Sequence, residues 1–249
     1  MTTYNVLTLF PDMFTSVCGS SIWVRAITAG LISVNTTDIR DYATDKHRRA
    51  DDYPLGGGAG MVMKPEPVDA CFRDIMSRSE APSINVYMSP GGKPLTHGLV
   101  TRLASYRTVN ILCGHYEGVD ARVLKRYIDL EISIGDYVLT GGELAAMVLI
   151  DAVIRHIDGV LGNDESVLGE SFANGLLEYQ QYTRPAVWDG EAVPEVLLSG
   201  HHANIAAYRR QESLRETARR RPDLLQKARL TKKDIEFITR RDSLNPKTL

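Results

Sequence analysis

The stretch Ser133-Ile134-Gly135-Asp136-Tyr137-Val138-Leu139-Thr140-Gly141-Gly142-Glu143-Leu144 joins a β-like segment to a strongly apolar helix, expected over 144–154, through a polar turn and a glycine pair. Glycine has no Cβ, so backbone N–H and C=O groups at such a point approach a ligand directly. A strand-to-helix turn at the C-terminal edge of an α/β sheet is also a common seat for a small molecule. An ordinary βα turn carries the same spacing.

Outward from this stretch, strand and helix signals alternate as far as residue 157. Residues 4–10 read as a buried strand, Pro11 opens a helix that runs to about residue 30, and 32–38 is a second strand. A long polar, glycine-rich loop covers 40–63. Helices are expected over 65–78, 96–105 and 120–127, and strands over 84–88, 109–113 and 128–134. This βαβα order predicts a parallel sheet with helices on both faces. Residues 159–175 lack periodicity and read as a flexible linker or lid. Helices are expected again over 203–220, 222–228 and 232–240, the last capped by Thr231 with Asp234 three residues on. The expected organisation is an α/β domain over 1–158, a linker over 159–175 and a small all-α domain over 176–249.

Composition narrows the class. A chain of 249 residues with 43% hydrophobic side chains has ample material for a core. No apolar run is long enough to span a bilayer, and the best one contains Asp151. The first residues lack the basic start and cleavage site of an export signal, so a cytoplasmic location is expected. Cys18, Cys71 and Cys113 are scattered and form no C-x-x-C, which argues for a reducing compartment and against a cysteine zinc site. The histidines show no ligand spacing, so no metal centre is expected.

The total charge of −2 conceals an asymmetry. Between Arg209 and Arg241 twelve Lys/Arg face five Asp/Glu, a net +7, which leaves −9 on the remainder. A basic tail of this density, with Arg219-Arg220-Arg221 at its centre, points to a polyanion such as nucleic acid, bound in a salt-dependent way. A solvated arginine-rich helix face has the same composition.

Three glycine-bearing loops, 87–92, 113–118 and 133–142, each follow a strand, so in a parallel sheet they converge on one edge. None matches a phosphate-binding loop, and Gly56-Gly57-Gly58-Ala59-Gly60 sits inside the long loop. Loops with few cations suit a neutral or cationic ligand, such as an adenosine compound held by main-chain groups.

Several of these segments, Leu9-Phe10-Pro11-Asp12-Met13-Phe14, Pro54 to Met61, Cys113 to Asp120, Ser133 to Leu144, Gly159-Val160-Leu161-Gly162, Tyr182-Thr183-Arg184-Pro185 and Val196 to Gly200, closely resemble the bacterial tRNA (guanine-N1)-methyltransferases. The resemblance runs in order along nearly the whole chain. It implies the SPOUT class, with a deep trefoil knot that periodicity does not reveal and that topology rules disfavour. It implies S-adenosylmethionine as methyl donor, tRNA as substrate, methylation at position 37 and a homodimer with sites built from both subunits. Some members need Mg2+, for which no site is legible. By motif, the cofactor pocket comprises Tyr87, Met88, Ser89, Pro90, Gly114, Tyr116, Glu117, Gly118, Ser133, Ile134, Gly135, Asp136, Tyr137, Val138, Leu139, Gly141 and Gly142. Glu117 reads equally as a residue facing the sulfonium and as an acceptor that steadies its loop. His47, Asp51 and Arg184 fall in segments expected to face tRNA.

The chemistry asks for a base and a cation. Guanine N1 carries a proton and is a poor nucleophile until a base takes it, and charge then develops at O6. In the family a linker Asp and an Arg after the knot fill these roles. Arg155 matches the second. At the first, the usual Glu-Asp-Ser-Phe reads Gly169-Glu170-Ser171-Phe172 here, so Glu170 keeps the carboxylate on a longer arm, with Asp164 and Glu165 as competing carboxylates. Two other readings remain: a non-catalytic RNA-binding protein with a methyltransferase shell, and a SPOUT enzyme acting at another RNA position.

Overall fold

The sheet is built from β1 (Thr2–Thr8), β2 (Ile32–Asp38), β5 (Ser83–Pro94), β6 (Thr108–Cys113) and β7 (Leu130–Ser133), ordered β2-β1-β6-β5-β7. Every neighbouring pair is parallel. Two short strands, β3 (Asp51–Asp52) and β4 (Val62–Met63), pair antiparallel beside it. The computed structural model describes residues 1–162 and 169–242. Two compact units divide the chain, Met1–Asn163 and Asp164–Leu249.

Helices cover both faces of the sheet. They are α1 (Thr15–Cys18), α2 (Ser21–Thr28), α3 (Pro65–Ser77), α4 (His97–Leu103), α5 (Ala121–Tyr127) and α6 (Glu143–Ile154). Alternate residues of a strand point to opposite faces. Val6, Val86 and Ile111 therefore join Trp23 of α2, Val100 and Leu103 of α4 and Leu149 of α6 in one core. Leu7, Tyr87 and Leu112 join Val68, Phe72 and Ile75 of α3 and Val123 of α5 in the other. All six residues of β6, the central strand, are buried, as a strand covered on both faces requires.

A row of asparagines crosses the second face. Asn35, Asn5, Asn110 and Asn85 lie in register on β2, β1, β6 and β5. Each side-chain amide donates to the next oxygen: Asn35 to Asn5 at 3.0 Å, Asn5 to Asn110 at 2.9 Å and Asn110 to Asn85 at 2.8 Å. Asn85 in turn donates to the Tyr127 carbonyl at the end of α5, at 2.8 Å. Asn110 is fully buried, so this chain of bonds offsets the cost of removing its amide from water.

The structure revises three local expectations. The helix read from Pro11 to about residue 30 is interrupted. A 3-10 turn, Pro11–Phe14, leads into α1, and the chain then breaks at Gly19 and Ser20 before α2. Ser20 is extended and its hydroxyl donates to the Ser16 carbonyl, a local bond that competes with helix continuation. The loop over 40–63 contains the β3–β4 ribbon. The strand read over 84–88 continues to Pro94, because β7 pairs with β5 twice, at Val86–Met88 and again at Lys93–Pro94.

In the second unit, α7 (Glu195–Leu198), α8 (His202–Arg220), α9 (Pro222–Leu225) and α10 (Lys232–Asp242) follow a hairpin of β8 (Val187–Trp188) and β9 (Glu191–Ala192). The unit is therefore not all-α. Asp189 and Gly190 both have positive φ, the conformation a tight two-residue hairpin turn demands. The cap of α10 is reciprocal: the Thr231 hydroxyl accepts from Asp234 N–H at 3.2 Å, and the Asp234 carboxylate accepts from Thr231 N–H at 2.8 Å.

Candidate active site

The irregular stretch of β5 at 87–90, where its pairing with β7 shifts register, and the loops after β6 and β7 line a cavity of about 230 Å³ at the C-terminal edge of the sheet. Backbone pairing holds them together. Gly142 N–H donates to the Gly114 carbonyl at 2.8 Å, and His115 bridges antiparallel to Gly141. A side chain at Gly142 would have no room, since its Cβ would lie 2.8 Å from Cys113 Cα. The glycine-rich loop is fixed to the same place, with Glu117 N–H donating to the Met61 carbonyl and Met63 N–H to the Gly118 carbonyl, each at 2.9 Å. Tyr116 holds a left-handed φ of 57° at the cavity wall, a strained conformation for a non-glycine residue.

Helix α6 starts at the cavity with a buried carboxylate. Glu143 is 2% exposed and accepts from the Thr8 hydroxyl at 2.7 Å, which ties the start of α6 to β1. Burial, and then the nearby Glu143 carboxylate, push the Cys113 thiol well above its ordinary range, so this cysteine stays protonated and unreactive. Burial also raises Cys71, to about 12. The lining includes apolar residues such as Ile132 and Ala145, the aromatic Tyr87, Tyr116 and Tyr137, His115, and the acidic Glu117. Among the described residues, no Lys or Arg lines the cavity. Such a wall accepts a planar, hydrogen-bonding ligand that is neutral or positively charged.

The model of the family described as tRNA (guanine-1)-methyltransferase TrmD matches residues 2–227. The chain belongs to this family. A protein named tRNA (guanine-N(1)-)-methyltransferase from Caldanaerobacter subterraneus subsp. tengcongensis is 54% identical over 235 residues, 94% of this chain and 96% of that relative. Relatives with the same name from Chloroflexus aurantiacus and Ruminiclostridium cellulolyticum are 53% and 55% identical, covering 94% and 90% of this chain and 94% and 96% of their own.

The cavity brings together every expected cofactor residue of this TrmD-family chain except Asp136. Tyr137 N–H donates to the Gly135 carbonyl at 2.9 Å, so the turn reverses at Asp136 and leaves that side chain exposed and outside the cavity. His115, Ile132, Thr140 and Ala145 line the cavity as well. His115 and Thr140 lie inside the two quoted motifs, and taking those motifs whole would have included them.

The remaining expected residues fall on other elements of the two units. Arg155 is the C-cap of α6 in the first unit, and Glu170 lies in the second unit, where its carbonyl accepts from Ala173 N–H at 3.2 Å. Asp164 and Glu165 lie outside the described residues. His47 is exposed, and Asp51 pairs with Met63 in the β3–β4 ribbon. Arg184 lines a separate cavity within the second unit. The arginine triplet is internally compensated: Arg219 and Arg220 both bind Glu216, at 2.7 and 2.6 Å, and Arg221 binds Asp223 at 2.8 Å.

Proposed function

We propose that the chain transfers the methyl group of S-adenosylmethionine to N1 of guanosine at position 37 of tRNA. The observation that carries this reading is the glycine-built cavity without Lys or Arg, in a chain whose relatives are named for guanine-N1 methylation of tRNA. The cavity's chemistry fits a sulfonium nucleoside: main-chain and aromatic groups for the adenosine, and Glu117 as the carboxylate nearest in kind to a cationic centre. That cofactor supplies an electrophilic methyl group, so the protein need only prepare the guanine. Glu170 takes the N1 proton, and Arg155 offsets the charge that develops at O6. Residues 1–158 hold the cofactor, 159–175 act as the linker or lid, and 176–249 bind tRNA with help from His47 and Asp51.

The knot and the dimer belong to the same proposal. The double pairing of β7 with β5 and the Gly142–Gly114 bond support a chain that threads through its own earlier loop after β7. Leu144 and Val148, one turn apart on α6, are 51% and 47% exposed, an apolar stripe suited to a second copy. No described helix is long and apolar enough to cross a membrane.

Incubation with labelled cofactor and tRNA transcripts, followed by mapping of the modified nucleoside, tests the assignment. The expected product is 1-methylguanosine at position 37, and a methyl group elsewhere, or none, overturns it. Turnover with and without a chelator reads whether Mg2+ takes part. Glu170→Gln should slow methyl transfer by ~10²-fold with little change in tRNA or cofactor binding. Near-normal turnover in that variant, with Asp164→Asn or Glu165→Gln inactive, would move the base to one of those residues.

A further inference from the structure

The second unit contains a cavity of about 400 Å³, toward the small end of ligand-binding cavities. Its walls combine the rings of Tyr179 and Tyr182, the apolar side chains of Leu197 and Leu198, and the guanidinium-bearing Arg184 and Arg209. Tyr182 is 44% exposed and Leu198 60%, so the aromatic and apolar surface is open to an incoming group.

Among the arginines of α8, Arg209 differs from its neighbours in its partner. Within the basic stretch, Arg210 is joined to Asp234, Arg215 to Glu212, Arg219 and Arg220 to Glu216, and Arg221 to Asp223. Arg209 instead lies over the Tyr179 ring, 4.8 Å from its centre, and among the described residues no carboxylate pairs with it or with Arg184. The arginines with internal counterions are those away from the cavity wall, and the two on the wall keep their charge available. A planar stacking surface beside uncompensated guanidinium groups is the combination that binds a single-stranded nucleotide, the base on the rings and the phosphate on the arginines.

We propose that this cavity is a nucleotide subsite that seats one unstacked base of the RNA substrate, stacked on Tyr182 and with its phosphate held by Arg184 and Arg209. The proposal rests on tRNA being the substrate. Because stacking is tolerant of base identity, the subsite contributes affinity and positioning more than sequence readout.

The test measures tRNA affinity by filter binding over a range of salt concentrations. Tyr182→Ala should bind about tenfold more weakly, while Tyr182→Phe, which keeps the ring, stays near wild type. Arg209→Gln should weaken binding and lower the salt slope by about one unit. A set of transcripts lacking single bases then locates the seated nucleotide. One such deletion should weaken wild-type binding by about tenfold and have no further effect on Tyr182→Ala, as expected when both changes remove one contact. Cofactor affinity by calorimetry should be unchanged in every variant. If wild-type protein binds tRNA but no base deletion is coupled to Tyr182, the subsite is refuted while the substrate assignment stands. If wild-type protein binds no tRNA, both fall. If Tyr182→Ala alters only the sedimentation mass, the surface joins copies of the chain and the proposal is wrong.

Discussion

Gly142 occupies a position where the chain has no space for a side chain, because the obstacle to its Cβ is the backbone of Cys113. At Gly141 a Cβ would instead press on the Glu143 carboxylate and on His115 Nδ1, side-chain atoms rather than backbone. Gly141→Val and Gly142→Val should both abolish cofactor binding by calorimetry, and only Gly142→Val should also lower the unfolding midpoint substantially. Unchanged affinity in both variants would remove this loop from the cofactor site. The cavity is legible in the sequence because two of its glycine segments follow strands and the third interrupts the regular pairing of β5, and parallel strands bring all three to one edge. Ala145 is not, since it reads as one more apolar residue of α6. Asp136 lies outside the cavity lining, and a motif gives no sign of where its turn reverses.

The asparagine row makes a prediction for the sheet as an element. Asn110→Leu keeps the side-chain size but leaves the Asn5 amide and the Asn85 oxygen buried without their partner, so stability should fall by about 2–4 kcal/mol in denaturant titration. The cap of α10 makes another, for the second unit. Hydrogen bonds from Arg210, and then from Thr231, outweigh burial and hold the Asp234 carboxyl down at about 2, against an ordinary 3.8. A depressed folded-state value stabilises the protein above the unfolded value, so this contribution is full above pH ~4 and is lost as pH falls through about 2. Asp234→Asn should flatten the pH dependence of unfolding in that window and lower stability above it. Elements with strong periodicity, such as α3 and α8, are legible to within a residue or so. The β8–β9 hairpin is too short to show alternation, and only the Asp189-Gly190 pair betrays it.

For the whole molecule, the alternation of strands and helices makes the parallel sheet legible, but not the path of the chain through it. The same order of elements describes an unknotted sheet, so a knot leaves no periodic trace, and it enters only through the family. The charge asymmetry is visible in the sequence, yet its strength at the surface is not. A net count includes Glu216 and Asp223 but does not show that they pair with the triplet itself. The proposed dimer predicts complementation. An inactive Gly141→Val protein refolded together with an inactive Glu170→Gln protein should regain partial methyl transfer, because some mixed dimers hold one intact site. No recovery, with mixed dimers demonstrated by mass, would place each site within a single chain.

The asparagine row also bears on how the sheet comes together. Its rungs link residues 30 and 25 apart within β2–β1 and β6–β5, but 105 apart between β1 and β6. Each outer pair can therefore zip up as a half-sheet carrying its own rung, and only the meeting of the halves closes the long one, the entropically costly step. If the halves met two residues out of step, the same faces would still be buried, but Asn110 would lie opposite Thr3 or Leu7. The row thus favours the in-register meeting of the two pieces over one displaced by two residues.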